Sequence, residues 1–185
     1  MIRPLSTSAA LLLWATAATA ETDHARTERM IEDTMAREFD ALSSLAHLEL
    51  FGLSSTQVSD PAALAGLGRL RHLQLIDTNV SDIDKLTLMP ALERLSLMET
   101  RVSDIAPLAA LSALNRLWVH ETNLSDLSPL FEITTLTHLR IDKTDVHDLS
   151  LIDGLPELQA LTLSGTPVDD LGTLAGREGL RVEGF

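Results

Sequence analysis

The residues best equipped for chemistry here are histidines, carboxylates and arginines, because the sequence contains no cysteine. That absence removes disulfides, thiol catalysis and Cys-ligated zinc. His120-Glu121 begins like the HExxH zinc motif, but the fifth position is Leu124 instead of histidine. No GxSxG nucleophile elbow and no phosphate-binding P-loop pattern occurs. His120, His138 and Asp142 would make a weak metal site if one sheet face brought them together. Side chains on an open sheet lack the enclosed pocket that catalysis uses. The sequence therefore predicts no enzyme, no metal and no cofactor, with a metal-dependent enzyme left as an alternative. A net charge of −13 repels a nucleic-acid backbone or an anionic membrane, so neither is expected as a partner.

What remains is recognition chemistry, and it depends on which residues share a face. Hydrophobic residues make up 45% of the chain but aromatics only 3%, so leucine must build the core. A core of one residue type at fixed spacing is the mark of a repeat protein. Leu70, Leu92, Leu114, Leu136, Leu158 and Leu180 lie 22 residues apart. The first five open LxxLxL segments, such as Leu92-Leu95-Leu97 and Leu114-Leu117-Val119. Leu45-Leu48-Leu50 reads as an earlier copy, 25 residues before Leu70, with three extra residues near Leu53-Ser54-Ser55. Each segment is followed by a threonine (Thr56, Thr78, Thr100, Thr122, Thr144, Thr166), then an aliphatic residue, then an aspartate (Asp60, Asp82, Asp104, Asp126, Asp148, Asp170).

This pattern resembles the leucine-rich-repeat family, in its bacterial internalin-like class with 22-residue repeats. The resemblance implies an α/β right-handed solenoid whose short strands form a parallel concave sheet, and it implies a binding role. The family carries asparagine where these six threonines stand. A hydroxyl has fewer donors and acceptors than an amide, so a smaller network is expected to close each turn. The Ser-Asp steps could suggest calcium, but one aspartate per repeat spreads the ligands that calcium needs at a single point. Aspartate before a short helical turn is expected to cap it instead.

Alternation along each strand places the residues beside the leucines on the concave face. One column then holds His47, His72, Arg94, Arg116, His138 and Ala160. The next holds Glu49, Gln74, Ser96, Trp118, Arg140 and Thr162, and the third Phe51, Ile76, Met98, His120, Asp142 and Ser164. Basic side chains beside an apolar stripe with a central tryptophan have the composition of an interface anchor. The predicted site is therefore His72, Arg94, Met98, Arg116, Trp118, His120, His138, Arg140, Phe51 and Ile76, facing a protein partner with an acidic and partly apolar surface. Internal pairing is the competing expectation: Trp118 with Arg140 as a cation–π contact, and His120 with Asp142 as a hydrogen bond.

The ends of the chain complete the organisation. Residues 1–20 run from Arg3 through an apolar stretch to Ala18-Thr19-Ala20, which reads as a secretory signal cleaved after Ala20. Removing Arg3 with it takes the net charge from −13 to −14. The expected location is periplasmic or secreted, with no membrane insertion of the mature chain. Residues 21–44 contain Met30, Ile31, Met35, Phe39 and Leu42 at helical spacing and are expected to form an N-terminal capping helix, or else a partner-binding helix. Residues 45–174 form the predicted repeat domain of six repeats. Residues 175–185 are left as a short C-terminal cap or edge strand, where self-association through an open edge is the alternative function.

Overall fold

The computed structural model describes residues 48–61, 64 and 66–185. The signal segment, the capping helix, Leu45 and His47 lie outside the described residues. Seven parallel strands form one open sheet in chain order: β1 (Leu50–Thr56), β2 (His72–Thr78), β3 (Arg94–Ser96), β4 (Arg116–Trp118), β5 (His138–Arg140), β6 (Ala160–Thr162) and β7 (Arg181–Glu183). Each strand returns to the start of the next through a compact segment, as the leucine-rich-repeat resemblance implies. No repeat could bury its own leucines, and stacking neighbours closes the core between them. In the fourth repeat Leu114, Leu117, Val119, Leu124, Leu127, Leu130 and Ile133 are all buried. The equivalent positions of neighbouring repeats extend one continuous core.

The return segments carry short 3-10 turns, including Asp84–Leu88, Ala106–Ala110, Ser128–Glu132, Ser150–Gly154 and Gly172–Gly176. The N-cap position is taken by an aliphatic residue (Ile83, Ile105, Leu127, Leu149, Leu171) and not by the aspartate, which stands one residue earlier and bonds the first N–H of the turn. Asp82, Asp104, Asp126, Asp148 and Asp170 each accept a bond from the backbone N–H two residues on, at 2.7–2.8 Å. Each turn then buries one aliphatic side chain, for example Leu108 or Leu130.

The first repeat is out of step with the sequence expectation. Phe51 pairs with Leu73 and Leu53 with Leu75, so the copy opens at Leu48-Phe51-Leu53, 22 residues before Leu70. No three-residue insertion exists. Phe51 is 1% exposed and belongs to the core, not to the binding face. The physical reason is stacking: a constant period keeps every buried side chain above its counterpart, and Phe51 fills the place that leucine takes elsewhere. Leu50, Gly52 and Ser54 therefore head the three face columns in place of His47, Glu49 and Phe51.

The threonines divide into two groups. Thr100, Thr122, Thr144 and Thr166 each donate to the carbonyl three residues back, at 2.6–2.7 Å. This is the small network expected in place of an asparagine amide. Thr56 and Thr78 are buried with hydroxyls that find no partner. A made bond contributes about 1 kcal/mol, whereas a buried orphan carries its desolvation penalty. Thr122→Val should therefore cost about 1 kcal/mol, while Thr78→Val should be neutral or stabilising. Urea denaturation of the two variants checks this, and equal losses would contradict it.

The residue before each threonine takes a left-handed step. Ser55, Asp77, Glu99, Glu121 and Lys143 have φ between 51° and 58°, and Gly165 has φ 72°. Only glycine adopts this conformation without steric cost. The chain tolerates it five more times because the turn must reverse the strand at the same place in every repeat.

At the C-terminal end, Arg177 replaces the apolar residue found at Met89, Leu111, Ile133 and Leu155. Its guanidinium turns back onto the preceding repeat, donating to the carbonyls of Ile152 and Leu155. Both carbonyls also accept backbone N–H groups of their own repeat, from Leu155 and Leu158, so the guanidinium adds second bonds that tie the two repeats together.

Candidate functional site

The open face of the sheet gathers nine of the ten predicted site residues. His72, Arg94, Arg116 and His138 lie side by side in register across β2–β5. Trp118 pairs with Ser96 on one side and Arg140 on the other. Ile76 and Met98 stand near the far ends of neighbouring strands, both half-buried, and Trp118 is half-buried beside them. Ser96, flanked by Gln74 and Trp118, is 4% exposed although it lies on this outer face.

Arg94 and Arg116 form no ion pair among the described residues. The nearby acids are engaged elsewhere or stand apart. Glu93 binds Arg71 at 2.6 Å, and Glu121 binds Lys143 at 2.7 Å. Two like charges directly opposite on adjacent strands are destabilising. Among the described residues no ion pair offsets this cost.

Histidine placement is more specific than the sequence reading. The Thr137 hydroxyl donates its single proton to the Asn115 carbonyl, at 2.8 Å. Its 2.9 Å contact with His138 Nδ1 must then run from an Nδ1–H to the hydroxyl oxygen. That leaves Nε2 of His138 as the atom that takes up a proton. Burial lowers the pKa of His138, and Arg116 and Arg94 lower it further. Burial and Arg94 lower His72, against an opposing pull from Glu93. Burial and then Arg140 lower His120. Rings with pKa values depressed on folding are harder to protonate in the folded chain than in the unfolded one. They reduce stability as pH falls below about 6.5.

One expected pairing does not form. His120 does not bond Asp142, and its Nδ1 is buried without a partner. Asp142 faces the next strand instead, accepting from the Thr162 hydroxyl at 2.7 Å and the Ser164 N–H at 2.8 Å. Arg140 sends its Nε to Asp142 at 3.3 Å. Nor do His120, His138 and Asp142 converge: among the described residues no three or more histidines and carboxylates come together as a metal site would need. His138 and Asp142 are four residues apart along an extended chain, about 13 Å at the strand rise.

Sequence reasoning missed the Asp142 staple and a polar groove of ≈ 390 Å³ at the carboxyl ends of the strands, lined by Asp77, Glu99 and Glu121 among others. The signal for the groove was present, since these three acids recur every 22 residues. The face is thus basic where its strands begin and acidic where they end.

No protein-family model and no curated protein matches the chain. Solved structures do. The chain is 29% identical to an internalin (InlF) of Listeria monocytogenes, with a TM-score of 0.71, covering 77% of this chain and 42% of that one. Against internalin C2 (InlC2) of the same organism the identity is 27% and the TM-score 0.68, covering 77% of this chain and 73% of the other. A leucine-rich-repeat protein of Leptospira interrogans shares the fold at 20% identity and a TM-score of 0.69, covering 77% of this chain and 38% of that one. The chain therefore spans less than half the length of the first internalin. The internalin likeness supports a protein-interaction module. Among the described residues no helix is long and apolar enough to cross a membrane.

Proposed function

Because the chain is an internalin-like leucine-rich-repeat protein, we propose that it is an exported, non-catalytic module that recognises a protein partner through the open face of its sheet. The observation that carries this reading is the couple Arg94 and Arg116, opposite each other beside Trp118 and without an ion pair among the described residues. An acidic group on a partner relieves their repulsion, and Trp118, Ile76 and Met98 supply apolar contact next to it. The remaining members are His72, His120, His138 and Arg140. Arginine and tryptophan are the residue types that most often dominate interface energies.

The signal-like residues 1–20 support export to the periplasm or beyond, and residues 21–44 are proposed as the lid over the first repeat. The partner approaches an exported chain whose net charge is −14, the full-length −13 less Arg3, so an acidic partner meets long-range repulsion and short-range attraction. Salt screens the first over about 8 Å at physiological strength. Pull-down from periplasmic extract tests the face. The double variant Trp118→Ala, Arg116→Glu is expected to retain less than about a tenth of the protein captured by the wild type. Unchanged capture would falsify the site.

Self-association through β7 is the second reading, favoured by its place at the end of the sheet. Its length of three residues and its charged side chains, Arg181 and Glu183, count against it. Short charged edges are how sheets avoid pairing with other chains.

A further inference from the structure

We propose that the row His72–Arg94–Arg116–His138 is a proton-linked carboxylate clamp, in which an aspartate or glutamate of the partner sits between the two guanidinium groups. This inference rests on the open face being the binding face. Register sets the geometry: the four side chains project from four consecutive strands, with the arginines in the middle and a histidine on each flank. Adjacent strands are about 4.8 Å apart, so one carboxylate can accept an N–H from each guanidinium. Charge-assisted bonds of that kind are among the stronger ones. The clamp has no internal occupant, because neither arginine forms an ion pair among the described residues.

The flanking rings couple capture to protons. His72 faces Arg94 and Glu93 on β3 and the segment leading into it, Arg71 beside it on its own chain, and, toward β1, uncharged Leu50 in register with Glu49 just before the strand. His138 faces Arg116 on β4 with Arg94 beyond, uncharged Ala160 on β6, and the Thr137 hydroxyl. Cationic neighbours oppose protonation of both rings in the free protein. A carboxylate lodged between Arg94 and Arg116 cancels part of that field. Both rings then accept protons more readily, so binding takes up protons and tightens as pH falls. Glutamate itself, with an ordinary pKa near 4.3, stays ionised through most of this range.

The test uses the intact chain and tetraglutamate blocked at both ends, titrated by NMR at constant low ionic strength. Binding is expected to shift the His72, His138, Arg94 and Arg116 side-chain signals. The affinity at pH 5.5 should be about three- to tenfold tighter than at pH 7.5. Arg94→Gln with Arg116→Gln should abolish binding while leaving thermal unfolding unchanged or raised, since it removes the repulsion. His72→Gln with His138→Gln should lose the pH dependence, the ratio of affinities at pH 5.5 and 7.5 falling to about one. Inorganic sulfate is the comparison arm, because it does not titrate in this range. Sulfate shifting these signals while tetraglutamate does not would overturn the carboxylate peptide as occupant. An affinity flat between pH 5.5 and 7.5, or pH dependence surviving in the histidine variant, would overturn the coupling but leave the binding face standing. Only pull-down insensitive to Trp118 and Arg116 removes the face itself.

Discussion

Leu117→Ala is expected to lower the free energy of unfolding by about 3 kcal/mol. Leu117 lies in β4, the middle strand of seven, with no exposed surface. In register it stands between Leu95 of β3 and Leu139 of β5. Both neighbours are held in place by the backbone ladder on either side. Glu93 accepts the N–H groups of Asn115 and Arg116, and Asn115 in turn accepts those of Thr137 and His138. The hole left by alanine therefore cannot close by strand movement, and the cavity term adds to the lost transfer energy. In a stacked repeat each unit touches only its neighbours, so a middle defect weakens two interfaces and a terminal defect one. Val182→Ala, the half-buried residue of an otherwise exposed β7, should then cost less than about 1 kcal/mol. Urea denaturation followed by circular dichroism compares them. Equal losses at the two positions would mean that stability is not passed between neighbouring repeats.

The parts of this fold that could be read in the sequence are those repeated six times. Leucine spacing, the threonine column and the aspartate column each recur every 22 residues, and the sheet, the i−3 threonine bonds and the i+2 aspartate bonds follow from them. The reading failed where one copy could be aligned in two ways. Leu45, Leu48 and Leu50 fit LxxLxL, and so do Leu48, Phe51 and Leu53 if phenylalanine stands for leucine. Thr56 and Asp60, each 22 residues before its counterpart in the next repeat, already favoured the second alignment. Burial decides it, since only that choice places Phe51 over Leu73. The binding columns were legible as far as alternation along a strand determines a face. Pairing within the face was not, because it depends on side-chain direction. His120 and Asp142 are neighbours by spacing, yet the hydroxyl and backbone N–H offered by β6 and its following turn draw the carboxylate the other way.

That choice by Asp142 has a measurable consequence. Its side chain is 13% exposed and joins the fifth and sixth repeats through Thr162 and Ser164. Asp142→Ala should cost about 2 kcal/mol at pH 7, because it removes bonds to an ionised acceptor and leaves their donors without it. Burial alone would raise the Asp142 pKa, but the bonds from Thr162, Ser164 and Arg140 outweigh it and hold the carboxyl below its ordinary value. A depressed folded pKa contributes stability that is complete above the unfolded value, near 3.9, and is lost as pH falls through the folded one. The gap between wild type and variant should therefore stay constant from pH 7 to pH 5 and narrow below about pH 4. Asp126 and Asp148, also lowered by bonds from Ser128 and Ser150, titrate alike in both proteins and cancel from the difference. Thermal unfolding at pH 7, 5 and 3 reads it, and a gap unchanged at pH 3 would assign the staple to something other than the carboxylate. The same substitution releases Arg140 from its only ion-pair partner among the described residues. It should thus weaken the fold while adding a free cation beside Trp118, tightening tetraglutamate binding at pH 7. Asp142 would then be a residue that the fold keeps at the expense of the binding face, which separates its role from that of Arg94 and Arg116.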